Sequence, residues 1–350
     1  MFQISFEENF CRNDLYPFTQ TRPVADIRVG ILTIREKWQM HLTQLGAELS
    51  SDIPFLKNWV IPANLLPDTE TVHALISGGP LEKFLSDPDR RIQFPWDIIH
   101  LNAAAICSDY ALITQNRQSA GIPGGVTVIG SESVFIESGA RVSICTINAS
   151  TGPVYIGRNA EIMEGTMIRG PFALGENSVV KMGSMIYGGT SIGPGCVAGG
   201  EIKNSVLFEY SNKAHHGYLG DSVIGAWCNL GAGSSNSNLS NTAGDVQVYH
   251  RASGAYKNAG LKCGLIMGDF SVAAINTSFN TGTIAGVACN LFGSGLTPKY
   301  MPDFSWGYHS SIRYRLEKAL INIDNWKKLK GQQLSSAEIQ QLKLIFEQTI

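Results

Sequence analysis

Apolar residues recur at every sixth position along one stretch of the chain: Ile156, Ile162, Ile168, Leu174, Val180, Ile186, Ile192 and Ala198. A period of six fits neither the 3.6-residue helix nor the two-residue alternation of a half-buried strand. It is the pattern of a hexapeptide solenoid, where short strands stack coil upon coil and each flat face turns one aliphatic side chain inward. The predicted fold is therefore mainly β, a left-handed parallel β-helix. Turn residues follow the apolar positions in Ile156-Gly-Arg-Asn159 and Leu174-Gly-Glu-Asn177, where Gly and Asn tolerate a positive φ.

The interruptions are as informative as the ladder. The hexads are irregular through Ala149 and slip by two residues after Ala198. A new inward register is then expected through Val206, Tyr218, Ile224 and Leu230, with Asn212 as its polar member. Gly231 to Gly264 breaks the pattern. It predicts a loop over 232–264, thrown out of one corner toward a binding face and holding a hairpin-like piece around Val246 to Tyr256. The ladder resumes at Met267, Ala273, Phe279, Ala285 and Leu291.

The remaining segments divide the chain. Residues 1–93 read as a small α/β domain. Residues 94–120 read as a linker with a connecting helix, on the spacing of Trp96, Ile99, Ala103 and Ile106. Residues 121–307 form the solenoid, and 308–350 are C-terminal helices. Ile312, Leu316, Leu320 and Ile323 mark the first of these, and the Ser335/Glu338 capping box starts the second. These helices are expected to close the open end of the solenoid, which would otherwise present unpaired strands.

Composition adds mainly exclusions. The 350 residues include 37 Gly, as a turn-rich repeat requires, and carry a formal net charge of -2. That balance leaves no electrostatic case for nucleic acid. The seven Cys are scattered singly, without metal-ligand or disulfide spacing, which suits a reducing compartment. Met1 to Phe10 lacks the basic and apolar regions of a signal peptide, and no apolar run has membrane-spanning length. A cytoplasmic protein with no membrane partner is expected.

The densest polar cluster is Tyr210-Ser-Asn-Lys-Ala-His-His-Gly-Tyr-Leu-Gly-Asp221, followed by Asn229-Leu-Gly-Ala-Gly-Ser-Ser-Asn-Ser-Asn238. Both elements resemble the acetyltransferase half of the GlmU-like family, the bifunctional glucosamine-1-phosphate acetyltransferases and N-acetylglucosamine-1-phosphate uridyltransferases. Leu15-Tyr-Pro-Phe-Thr-Gln-Thr-Arg-Pro-Val-Ala-Asp-Ile-Arg-Val-Gly30 resembles the opening of sugar-phosphate nucleotidyltransferases. The resemblance covers roughly 10–38 and 94–310. It is closest to a variant with an altered, shortened nucleotidyltransferase part.

The resemblance implies an acyl-CoA-dependent acyltransferase acting on an amino sugar phosphate, with acetyl-CoA as acyl donor. His215, three residues before Tyr218, would be the general base. The chain has Lys213-Ala-His where the family has Lys-Ala-Gly-His, so His216 is its rival. A histidine near neutral pH suits the removal of a proton from an attacking amine. Lys203, Tyr218, Asn229 and Asn238 match substrate contacts. Ala173 and Leu174 stand where the family has a phosphate-binding arginine, and Arg169 is the nearest substitute. Ala232, Asp269 and Val287 would lie along the cofactor. The family also implies a homotrimer with active sites between neighbours.

The alternative is a sugar-1-phosphate nucleotidyltransferase using Mg²⁺ with UTP or dTTP, Arg22 binding the nucleotide and the solenoid serving as a scaffold. Cys11, Asn13 and Asp14 stand where its loop would need glycines, and Val24 where it would need a lysine, which argues against turnover. A metal-dependent reading would require His215, His216 and His250 to converge.

Overall fold

The computed structural model describes residues 3–48, 58–308 and 312–349. The solenoid has three faces of parallel strands. The first face is a nine-stranded sheet, the second has eight strands, and the third has six strands continued by a separate pair. Strands 18 residues apart stack in register: Ile156 on Leu174 on Ile192, Ile162 on Val180 on Ala198, and Ile168 on Ile186. All eight members of the six-residue ladder are buried, as are all five of the later register. The mainly β solenoid predicted from the sequence is thus the observed fold.

The register after Ala198 differs from the expected one. The inward side chains are Ile202, Leu207, Lys213, Leu219, Ile224 and Leu230, while Asn212 and Tyr218 face outward and are half-buried. Three short corners, before Ile202, before Leu207 and before Ile224, absorb the slip. A lysine therefore occupies an aliphatic position, and the apolar pattern alone had no means of placing it there.

The corner between the first and second faces carries two regular devices. The first is a column of alternating serines and cysteines: Ser178, Cys196, Ser211, Cys228, Ser271 and Cys289. Ser178 Oγ donates to the Gly193 carbonyl at 2.7 Å and accepts from the Cys196 amide at 3.2 Å. Ser211 and Ser271 repeat this with the amides of Cys228 and Cys289, both at 2.9 Å. The single cysteines are thus hydrogen-bonding members of a coil-to-coil seam.

The second device is a set of left-handed corner residues. Early coils use Asn159, Asn177 and Gly195, but later coils use Tyr210, Trp227, Phe270, Ala288 and Phe304, with φ between 54° and 63°. A left-handed conformation costs a non-glycine residue roughly 1–2 kcal/mol. The aromatic side chains recover more than this by docking the helices described next.

Five α-helices complete the described residues: α1 (Ile34–Glu48), α2 (Thr69–Ser77), α3 (Asp97–Thr114), α4 (Leu316–Lys328) and α5 (Ser336–Gln348). Ser335 caps α5 in the predicted capping box with Glu338. Strand Gln3–Glu7 pairs in parallel with Asn58–Pro62 beside α1 to α3. α3 lies on the outer side of the first face, where Asn102 Nδ2 donates to the Gly189 carbonyl at 2.7 Å.

α4 and α5 run along the flank of the solenoid across successive coils. Lys330, just past α4, donates to the Gly195 carbonyl and to Asn212, Lys327 lies over Trp227, and Phe346 of α5 meets Phe304 edge-on. The expectation that they close the end gives way to flank packing, because the aromatic corners supply the apolar surface. One hydrophobic cluster joins the N-terminal segment, the outer first face and both C-terminal helices.

The 232–264 interruption is also docked rather than free. Its first part still adds a strand, Ser235–Asn236, to the third face. Its hairpin, Gln247–His250 with Ala255–Asn258, folds toward the N-terminal segment. His250 Nε2 lies 3.0 Å from Asp14, and Arg251 meets Asp303.

Candidate active site

The expected site residues fall into two groups at different corners. The first group lies on the third face and the corner leading into it. His215 and His216 form that corner and are both exposed. Neither imidazole has a hydrogen-bond partner among the described residues. Gly233 N–H, beside Ala232, donates to the His216 carbonyl at 3.0 Å, so the next coil supports this corner from one side.

Two outward columns of the third face adjoin it. One holds Met167, Met185, Glu201 and Tyr218; the other holds Arg169, Tyr187, Lys203 and Gly220. Arg169 is exposed, while Lys203 is half-buried with its ammonium 6.0 Å from the Tyr187 ring centre. The Tyr218 ring lies along the sheet over Gly220, where a Cβ would sit 2.2 Å from its hydroxyl oxygen. Glycine at 220 is what lets that ring lie flat.

Asn238 completes the cluster. Its Nδ2 donates to Tyr218 Oη at 3.1 Å and also to Asp221, which in turn accepts from Asn204 Nδ2 at 2.7 Å. Burial, with Asp221 and Glu201 nearby, pushes the Tyr218 phenol up to about 12. It stays protonated at neutral pH, and because Asn238 supplies a donor to its oxygen, its own O–H remains able to donate to a ligand. Asp221 and Asn204 had drawn no functional reading in the sequence, since a corner Asn or Asp reads as turn chemistry.

Asn229 stands apart from this group, on the outward side of the second face between Asn212 and Val272.

The second group lies at the first-to-second corner, under the N-terminal segment. Arg22 donates to Glu209 at 3.0 Å and to Asp269, and its guanidinium lies 4.8 Å from the Phe208 ring centre. Asp269 also accepts from Thr21 Oγ1 at 2.7 Å and the Ala226 amide at 2.8 Å. Val287 is buried and donates its amide to Asp303 at 2.7 Å. Asp269 and Val287 are therefore not brought to the histidine corner. Both hold the N-terminal segment and the flank together.

A cavity of about 730 Å³ opens beside this second group, lined by Arg22, Arg28, Glu36, Glu209, Trp227 and Gln341, among others. The Nε–H groups of Arg22 and Arg28 are enclosed beside it without a hydrogen-bond partner among the described residues. Among the described residues no three His, Cys, Asp or Glu side chains converge on a metal-sized site. His250 stands on the hairpin, with its Nδ1 hydrogen-bonded to Ser253 and its Nε2 3.0 Å from Asp14. No described helix is long and apolar enough to cross a membrane.

The molecule is thus a hexapeptide-type parallel β-solenoid with a short α/β segment clipped to its flank. Residues 3–89 match the family described as sugar nucleotidyl transferase. The chain is also 37% identical over 86 residues to the bifunctional protein GlmU of Methanococcus maripaludis, covering 25% of this chain and 20% of that protein. Two further proteins of that name, from other strains, are each 36% identical over 86 residues. The matched segment spans about a fifth of the length of these curated relatives. Both findings bear out the resemblance to the GlmU-like family over the N-terminal segment.

Proposed function

We propose that the protein is a transferase acting on a sugar phosphate, and that its solenoid transfers an acyl group from acyl-CoA to the amine of an amino sugar phosphate. The observation that carries this reading is the meeting of the His215–His216 corner with Lys203, Tyr218 and Asn238 on adjacent coils. His215 takes a proton from the acceptor amine as the new N–C bond forms. The C–S bond of the thioester then breaks, and the departing thiolate is protonated. Lys203 offers a cation to the phosphate, and the Tyr218 hydroxyl offers a donor to the sugar.

The same face supports assembly as a homotrimer. Met167, Met185, Tyr187, Ile144, Met182 and Ile275 are exposed on the third face and its leading corner. Exposed apolar side chains among polar ones suit contact with further copies of the chain, which would then wall the site. Mass measurement in solution tests this, with a Met167→Glu, Met185→Glu variant expected to dissociate.

The functional test is release of free CoA thiol from acetyl-CoA with glucosamine-1-phosphate and related hexosamine phosphates. Turnover is expected in the wild type and a loss of 10²-fold or more in His215→Ala. Undiminished turnover in both His215→Ala and His216→Ala would remove the proposed base.

One observation favours a second reading: the family match over residues 3–89 coincides with a cavity lined by two arginines, Arg22 and Arg28. A nucleotidyltransferase using Mg²⁺ and UTP or dTTP would place its phosphates there. Mg²⁺-dependent pyrophosphate release would support it.

A further inference from the structure

We propose that Lys213 is a positioning residue that fixes the corner bearing His215, and through it the acyl-transfer base. The inference rests on the reading of His215 as that base.

Lys213 takes an inward ladder position on the second face, stacked on Ala198 of the preceding coil. It is 2% exposed, one of the largest fully enclosed side chains of the molecule. Its ammonium reaches back to the corner and donates to two carbonyls, Gly199 at 2.9 Å and His215 at 2.7 Å. One cation thus ties the corner of one coil to the histidine corner of the next. The coils are otherwise pressed together there: a Cβ on Gly199 would lie 2.4 Å from the Ala214 carbonyl, and one on Gly200 2.7 Å from that of His215.

Fold alone does not explain the choice of residue. A buried ammonium is costly, and burial lowers the Lys213 pKa to about 8. An aliphatic residue would fill the same position without that cost, as in nearly every other coil. What an aliphatic residue would not supply is a donor to the His215 carbonyl. The His215 imidazole is exposed and lacks a partner of its own among the described residues, so its direction depends on its backbone. That backbone is held by Lys213 on one side and by the Gly233 amide at His216 on the other.

The test uses the full chain with Lys213→Met, which keeps length and apolar stem but removes the donors. The first readout is the imidazole carbon–proton resonances of His215, assigned with His215→Ala. In Lys213→Met the His215 signal is expected to shift or split while that of His250 stays in place. Coincidence of the His215 signal with wild type overturns the proposal, whatever the enzyme activity. The second readout is acyl transfer. Lys213→Met is expected to lower kcat about tenfold with KM for acyl-CoA within twofold. The double variant Lys213→Met, His215→Ala should be no slower than His215→Ala alone. Additive losses in that cycle would overturn action through His215. A wild type without acyl transfer would instead overturn the functional reading and leave the resonance test to decide the role of Lys213. Melting of Lys213→Met close to that of wild type excludes general unfolding as the cause.

Discussion

The phenol of Tyr16 donates a 2.9 Å hydrogen bond to Asp303, a residue 287 positions further along the chain. Six residues on, Arg22 meets Glu209 and Asp269 in the same way. The Leu15–Gly30 stretch, which resembles the opening of sugar-phosphate nucleotidyltransferases, is therefore clipped to an acidic column of the solenoid. Asp303 gathers Tyr16, Arg251, Thr349 and the Val287 amide.

These clips predict the stability of the N-terminal segment. Tyr16→Phe removes one hydrogen bond to a buried carboxylate and should cost about 1.5–3 kcal/mol. Arg22→Ala leaves Asp269 with an uncompensated charge and should cost about 3–5 kcal/mol. Denaturant unfolding followed by far-ultraviolet circular dichroism measures both. If Arg22 serves nucleotide binding alone, Arg22→Ala will leave the unfolding midpoint unchanged.

Lys213 gives the chain a pH-dependent stability term of known sign. Its pKa falls from the usual 10.5 to about 8 in the folded state through burial. Below pH 8 both folded and unfolded chains hold the proton and the burial cost is complete. Between pH 8 and 10.5 the unfolded chain keeps the proton while the folded chain releases it, so stability rises with pH in that window. The rise is at most roughly 3 kcal/mol. Relative to Lys213→Met, wild type should gain stability from pH 7.5 to 10. Parallel stability curves for the two proteins would contradict this.

Gly220→Ala should act on Tyr218 rather than on the coil. The Gly220 backbone is not in the left-handed region, so alanine fits its conformation, but the new Cβ displaces the Tyr218 hydroxyl. The ring lifts away from Asn238. A rise of about tenfold in acceptor KM, equivalent to ~1.4 kcal/mol, is expected with a melting temperature within a few degrees of wild type.

Trp227→Asn sets two effects against each other. Asparagine relieves the left-handed strain, a gain of roughly 1 kcal/mol. It also removes a 9% exposed indole that stacks on Tyr210 at 4.4 Å and carries Lys327 at 5.0 Å. Truncating such a residue costs about 3–5 kcal/mol, so the variant should be less stable by a net ~2–4 kcal/mol. Faster proteolysis of α4 and α5 would accompany it. Equal or higher stability would mean that the corner aromatics do not anchor the helices.

The solenoid was legible because its signal is local and repeated. Each of Ile156 through Ala198 reports its own inward direction, and Ser335 with Glu338 reports a helix start. Register was lost after Ala198 because corners of uneven length carry no apolar signature, so Tyr218 and Asn212 were read inward in place of Leu219 and Lys213. On the third face, His215, Lys203, Tyr218 and Asn238 were all readable from their motif. Asp221, which joins Asn204 to Asn238, was not, since its role exists only across coils. The pairing of Arg22 with Asp269 spans 247 residues, and no window of sequence contains both.

The serine–cysteine seam also makes the molecule its own chemical clock. Cys107 is exposed, whereas the other six thiols are buried. Burial lifts Cys196 and Cys289 to about 12, which leaves almost no thiolate for an alkylating reagent. The native fold should take up one label quickly. Later labels at Cys196, Cys228 and Cys289 then time the parting of neighbouring coils, with no engineered probe required.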